Sequence, residues 1–181
     1  MQKCAKIRNE KFGKGDNAEM NKTHPYSIGV LALFILLCLF VEVAGGWFTQ
    51  VSLNTWYPTL MKPSWIPPAW IFGPVWTVLY LLMAISVWLI WNREQLSGYH
   101  FQPYFLFTLQ LALNLAWSWI FFYLKSPGWA LVDILLLIIV LGWTICSFWR
   151  ISRLAASLLI PYWLWVAYAA SINAGIWWLN H

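Results

Sequence analysis

Residues 56–80 read WYPTLMKPSWIPPAWIFGPVWTVLY and place four tryptophans and five prolines within 25 residues. Tryptophan combines a large apolar ring with one N–H donor, so it is concentrated at membrane interfaces and in pockets for flat ligands. Proline stiffens the backbone and removes a hydrogen-bond donor. Because this stretch leads into a long apolar segment, it predicts a rigid aromatic surface beside a membrane helix, suited to an apolar, planar molecule.

The composition of the chain indicates an integral membrane protein. Of its 181 residues, 61% are hydrophobic and 9% are charged, whereas about 25% are charged in a soluble domain. The net charge of +5 arises mainly from six cations in the first 25 residues. We interpret residues 1–26 as a disordered basic tail that orients the protein in the membrane, not as a nucleic-acid-binding arm. The three cysteines and three histidines show no metal-binding spacing, so no metal site is expected.

The apolar segments predict an all-α membrane protein, a bundle of five transmembrane helices with a structured loop between helices one and two. The bundle forms one domain, residues 27–181, with helices at about 27–48, 69–91, 103–123, 129–149 and 154–179. Barrel strands would be shorter and alternating. Pro161 lies within the fifth segment, so either it kinks that helix or the regular helix begins near it.

The distribution of Lys and Arg predicts a cytoplasmic N-terminus. With that orientation nine cations lie on the inner side, and Lys62 and Lys125 are the two on the outer side. The prediction assumes insertion into a bacterial cell membrane.

Two carboxylates lie within the predicted spans, Glu42 and Asp133. Because a charge in the bilayer is costly, each is expected to face the bundle or an interface. We expect Glu42 to be neutral and hydrogen-bonded within the bundle. For Asp133 we favour a contact between helices, or with the helix dipole, over a ligand contact.

Three helices each carry a stripe of aromatic and polar residues at helical spacing. Such stripes either join helices or line a pocket, and periodicity alone favours the first. Three converging stripes favour an apolar cavity with a few orienting hydrogen bonds. The stripes are Gly73, Trp76, Tyr80 and Met83; Gln110, Asn114, Trp117 and Phe121; and Tyr162, Trp165, Ala169, Asn173 and Ile176.

Four motifs resemble the tryptophan-rich sensory protein family, also called the translocator protein or peripheral-type benzodiazepine receptor family. They are the stretch at 56–80, QLALNLAWSWIFF at 110–122, GWALVD at 128–133 and PYWLWVAYAASIN at 161–173. The resemblance covers about residues 28–180, all but the tail. It implies a five-helix bundle, often a homodimer among membrane lipids, with a cavity covered by the loop between helices one and two.

The resemblance also implies ligands and a site. Family members bind porphyrins such as protoporphyrin IX and haem, and planar drug-like ligands, with no obligatory cofactor; animal members bind cholesterol. The cholesterol pattern of those members is absent, because Asn173 is followed by Ala174 and Gly175, and Trp178 stands where an Arg is expected. The family's ligand-binding positions match Trp56, Tyr57, Pro67, Trp76, Tyr80, Asn114, Trp117, Trp165 and Ala169.

These features favour a membrane receptor or sensor that binds tetrapyrroles and regulates their level or traffic. A second hypothesis is an enzyme that degrades bound porphyrin with light and oxygen, in which Trp76 and Trp165 would match the reactive indoles of some bacterial relatives. A third is a porphyrin or lipid transporter, and a fourth is a protein whose aromatic residues only pack and anchor.

Overall fold

The chain forms a bundle of five long helices in the computed structural model, which describes residues 25–97 and 101–181. The helices are α1 (Pro25–Leu53), α2 (Phe72–Ser97), α3 (Phe101–Ser118), α4 (Pro127–Ile151) and α5 (Arg153–Leu179). Five spans long and apolar enough to cross a bilayer coincide with them, and within the described ranges there is no strand. The predicted fold class is therefore confirmed.

Polar contacts show which helix ends lie together. The Ser52 hydroxyl donates to the Phe122 carbonyl at 2.6 Å, which joins the ends of α1 and α3. The Asn173 amide donates to the Pro127 carbonyl at 2.8 Å and so joins the last third of α5 to the start of α4. Successive helices therefore alternate in direction.

The first helix differs from its predicted bounds at both ends. Pro25 and Tyr26, assigned to the tail from the sequence, belong to α1, and the helix continues to Leu53 instead of ending near Phe48. It continues through polar residues because the Thr49 hydroxyl donates to the Gly45 carbonyl at 2.9 Å, and Ser52 bonds across to α3. The predicted disorder of residues 1–24 lies outside the described residues.

The third helix ends in a π-helical turn, Trp119–Tyr123, in which the Leu124 amide donates to the Trp119 carbonyl. The turn buries two consecutive rings, Phe121 and Phe122. Lys125 then adopts a positive φ of 52° before α4 begins. This turn places an aromatic cluster at the end of the bundle that also holds the loop of residues 54–68.

The fifth helix runs from Arg153 through Pro161. The Ser152 side chain accepts a hydrogen bond from the Ala155 amide at 3.3 Å and caps its start. Of the two expectations for Pro161, a helix beginning near that residue is therefore wrong.

The half of the bundle away from residues 54–68 is tightly packed. Its fully buried side chains include Met83, Val87 and Ile90 of α2, Leu141 and Phe148 of α4, and Leu159 of α5. The first helix is the least enclosed, since 17% of its most apolar stretch is buried against 39% in each other span. A solid core at one end leaves the other end open to form a cavity.

Candidate functional site

A cavity of about 560 Å³ lies between α1, α2, α3 and α5, beneath residues 54–68, which we call the lid. Residues that line it are mostly apolar. The helices contribute Glu42, Gly45, Gly46, Thr49, Gln50 and Leu53; Ala69, Phe72, Gly73, Trp76 and Tyr80; Asn114, Trp117, Ser118, Phe121 and Phe122; and Trp165, Ala169, Ile172, Asn173 and Ile176, and the lid adds Tyr57, Lys62, Ile66 and Pro67. The volume lies within the range of about 300–1,000 Å³ for small-molecule sites.

The floor of the cavity is held by a hydrogen-bonded group of three side chains, of which Tyr80 and Asn114 line the cavity. The Tyr80 hydroxyl donates to Oδ1 of Asn114, and Nδ2 of Asn114 donates to the Tyr162 hydroxyl at 3.0 Å. All three residues are buried. Because each comes from a different helix, the group fixes α2, α3 and α5 relative to one another below the cavity.

Two indoles, Trp76 and Trp165, form part of the wall. Trp76 packs against Tyr80 and Tyr162, with ring centroids 5.7 and 6.1 Å apart. Trp165 packs against Phe72 and Tyr168 at 5.8 and 5.6 Å. The Trp165 Nε1 atom is buried and has no hydrogen-bond partner. A buried donor without a partner is costly, and on a cavity wall a ligand acceptor would relieve that cost.

The side of the cavity next to α4 is held by a second polar chain. Trp117 donates from Nε1 to Oδ1 of Asn173 at 2.9 Å, and Asn173 donates onward to Pro127. The Trp117 ring stacks on Phe121 with centroids 5.2 Å apart. These contacts hold the rings of Trp117 and Phe121 in place at the cavity wall.

The lid is attached to α5 at two hydrogen-bonded points. The Tyr168 hydroxyl donates to the Trp65 carbonyl at 2.7 Å. Asn180 accepts from the Met61 amide at 2.9 Å and donates to the Met61 carbonyl at 2.8 Å. Attachment to the helix that carries Trp165 couples the position of the lid to the cavity wall.

Within the lid, Lys62 donates to the Leu60 carbonyl at 3.2 Å, and its ammonium group lies 4.7 Å from the centroid of the Tyr57 ring. Burial raises the pKa of Tyr57 above its usual value, so its hydroxyl is protonated at neutral pH. Lys62 is thus a cation at the cavity with an aromatic and a carbonyl neighbour.

Gly175 is a position on α5 where the lid leaves no room for a larger side chain. A Cβ atom there would lie 3.0 Å from Cγ and 3.2 Å from Cβ of Pro63, a rigid side chain. We expect Gly175→Ala to displace the lid and to speed exchange of the Met61 amide in hydrogen–deuterium exchange. Gly29→Ala is the control, because its Cβ meets no atom within 4 Å. Unchanged exchange at Met61 in Gly175→Ala would contradict this account of lid docking.

The structure brings together most of the residues predicted from the sequence. Tyr57, Pro67, Trp76, Tyr80, Asn114, Trp117, Trp165 and Ala169 all line the cavity, whereas Trp56 does not. Trp56 packs instead on Phe121 at 5.9 Å, behind the lining. Trp56 thus lies in the lid, but it supports the cavity wall from behind and does not form part of its surface.

The three predicted stripes are only partly cavity wall. Gln110, Met83 and Tyr162 are fully buried below the cavity and do not line it. Gln110 donates to the Met83 sulfur at 3.7 Å. Each stripe therefore serves both interpretations, joining helices at its deep end and lining the cavity near the lid.

The two carboxylates within the spans have different surroundings. Glu42 has the expected hydrogen bond, from the Thr77 hydroxyl to Oε1 at 2.5 Å, and it also lines the cavity. Asp133 is buried away from the cavity, and its Oδ2 atom has no hydrogen-bond partner. In the described parts of the chain no three His, Cys, Asp or Glu side chains come together as a metal site.

Sequence reasoning missed the wall contributed by α1. Its lining residues include Gly45, Gly46 and Thr49, which form no aromatic stripe. Small residues at a helix interface are the one signal available, and they permit close packing as readily as a cavity. At Gly45 a Cβ atom would lie 3.3 Å from the Ser118 hydroxyl oxygen, so α1 approaches α3 closely there.

The fold and the site together define an α-helical membrane protein with a ligand-sized aromatic cavity beneath a structured lid. The sequence profile of the TspO/MBR family matches residues 34–179, and the chain belongs to this family. The Tryptophan-rich protein TspO of Chlorobaculum tepidum is 42% identical over 165 residues, which span 89% of this chain and 99% of that protein. The human Translocator protein is 44% identical over 140 residues, covering 76% and 82%. Protein CrtK of Rhodobacter capsulatus is 33% identical over 155 residues, covering 85% and 94%.

Proposed function

We propose that the cavity binds a tetrapyrrole such as protoporphyrin IX or haem, and that the protein is a receptor or sensor that regulates porphyrin level or traffic. The observation that carries the proposal is the pair of indoles, Trp76 and Trp165, on the wall of one apolar cavity. A porphyrin is flat and aromatic, so the rings can stack on it or meet it edge-on. Related planar drug-like molecules would fit the same walls.

Polar groups at the cavity would orient such a ligand. Lys62 at the lid offers a cation for the propionate groups of a porphyrin. The partnerless Trp165 Nε1 offers a donor to an acceptor on the ligand. With the floor side chains already bonded to one another, orientation would come from the lid end.

The test is a titration with protoporphyrin IX in the dark, followed by quenching of tryptophan fluorescence. We expect saturable binding to the wild-type protein, and about tenfold weaker binding to Lys62→Gln, since a charge-assisted hydrogen bond contributes about 1.5–3 kcal/mol. Protoporphyrin dimethyl ester, which lacks the carboxylates, is the matched ligand and should bind both proteins equally. Absence of saturable binding to the wild type would contradict the proposal.

A second candidate function is light- and oxygen-dependent degradation of the bound porphyrin. Two indoles on one cavity wall favour it, because bound porphyrin would absorb the light and a neighbouring indole would be the reactive partner. If so, the porphyrin spectrum should bleach under light in the wild type and less in Trp76→Phe or Trp165→Phe. A spectrum that is equally stable under light in all three proteins would contradict degradation, and the receptor function would be the one that remains.

We further propose that the protein lies in a bacterial cell membrane as a homodimer, with its N-terminus in the cytoplasm. The support for the orientation is the excess of Lys and Arg on the inner side, nine against two. The lid and cavity would then face the outer side.

A further inference from the structure

Glu42 places a carboxylate on the cavity wall at the middle of a membrane span. It precedes Leu53, the end of α1, by 11 residues, which is about 16 Å along a helix. The hydrocarbon core of a bilayer is about 30 Å thick. An ionisable side chain at such depth is costly, and its presence there indicates a functional role.

The carboxyl group of Glu42 has no cationic partner among the described residues. The Thr77 hydroxyl donates to Oε1, and no hydrogen bond to Oε2 is present in the described part of the chain. Lys62, the cation that also lines the cavity, is directed to the Leu60 carbonyl and the Tyr57 ring instead. Lys62 therefore makes no ion pair with Glu42.

The opening of the cavity brings Glu42 within reach of a ligand. Gly46, one turn further along α1, and Gly73 on α2 both line the cavity and are exposed, and a Cβ atom on either meets nothing within 4 Å. The hydrogen bond between Glu42 and Thr77 joins α1 to α2 about one helical turn from each of these glycines. A ligand that fills the space between the glycines would end beside the carboxylate.

We infer that the cavity also binds ligands that carry a cationic amine on a flat apolar body, in preference to their neutral analogues, and that Glu42 pairs with the amine. The attraction between a cation and a carboxylate is stronger where water is scarce. Trp76 and Tyr80 also line the cavity, and the face of an aromatic ring attracts a cation. The inference rests on the proposed function for the flat apolar body and goes beyond it in the charge of the ligand.

The test compares two probes that differ in one group, 1-pyrenemethylamine and 1-methylpyrene. The full-length protein is held in phosphatidylcholine nanodiscs at neutral pH, empty nanodiscs correct for partition, and quenching of tryptophan fluorescence reports binding. We expect the wild type to bind the amine about tenfold more tightly than the neutral probe, as a charge-assisted hydrogen bond predicts. In Glu42→Gln that preference should vanish, while the affinity for 1-methylpyrene stays the same.

Two further variants separate recognition from structure. Asp133→Asn removes a buried carboxylate that does not line the cavity, and it should keep the preference. Thr77→Val removes the link between α1 and α2 but keeps the carboxylate, and it too should keep the preference. Loss of the preference in Thr77→Val to the extent seen in Glu42→Gln would assign Glu42 to structure alone and overturn the inference.

The remaining outcomes are also distinct. A wild-type protein that binds both pyrenes equally overturns the inference, and saturable binding of protoporphyrin IX in the same nanodiscs would leave the proposed function standing. If neither pyrene nor protoporphyrin IX binds, the proposed function fails and the inference fails with it.

Discussion

Replacement of Trp76 or Trp165 by alanine is expected to weaken protoporphyrin IX binding about tenfold for each variant. Each indole lines the cavity and is held by two aromatic neighbours. Because the ring is already fixed in place, binding need not lose conformational entropy to order it. Loss of one aromatic pair removes about 0.5–1.5 kcal/mol beyond the buried area, and about 1.4 kcal/mol is a tenfold change in affinity. The measurement is the dark titration, followed by porphyrin absorbance because the substitutions alter tryptophan fluorescence.

Trp143→Ala is the matched control for these variants. Trp143 lies on α4, outside the cavity lining, and 62% of its surface is exposed. It should bind protoporphyrin IX as the wild type does. Equal affinity of Trp76→Ala, Trp165→Ala and Trp143→Ala would exclude this cavity as the porphyrin site.

Replacement of Asn114 by leucine is expected to produce the largest loss of stability. Asn114 accepts from Tyr80 and donates to Tyr162, and all three residues are buried. Leucine would leave two tyrosine hydroxyls without these partners, and an unsatisfied buried group costs about 1–3 kcal/mol. Interhelical hydrogen bonds in membranes average about 0.6 kcal/mol, so we expect a total of about 2 kcal/mol.

A loss of that size should lower the midpoint of thermal unfolding by roughly 4–8 °C for a chain of this length. Thr108→Val is the control, because Thr108 is an exposed polar residue on the same helix. Tyr162→Phe removes one of the two hydrogen bonds and should show an intermediate shift. An Asn114→Leu protein as stable as Thr108→Val would show that the three side chains do not hold the floor of the cavity together.

The sequence predicts those parts of the fold that depend on the spacing of residues within a single helix. Trp76 and Tyr80, or Trp165 and Ala169, fall on one face at helical spacing, so the pattern predicts that each pair faces the interior of the bundle. The segment lengths likewise predict five spans. These features depend on residues close together in the chain.

The parts that the sequence does not predict depend on contacts between distant residues. The extension of α1 to Leu53 relies on Ser52 bonding to Phe122, 70 residues away. The π-helical turn after α3 is a local change of winding without a distinct residue pattern, yet it buries Phe121 and Phe122. Trp56 lies next to the lining residue Tyr57 in sequence, but packing on Phe121 takes it out of the cavity.

An experimental structure of the protein with bound protoporphyrin IX would test the central claim most directly. We expect porphyrin density beneath the lid, in contact with the rings of Trp76 and Trp165, with a propionate within hydrogen-bond distance of Nζ of Lys62. Density on the outer face of the helices with an empty cavity would contradict it.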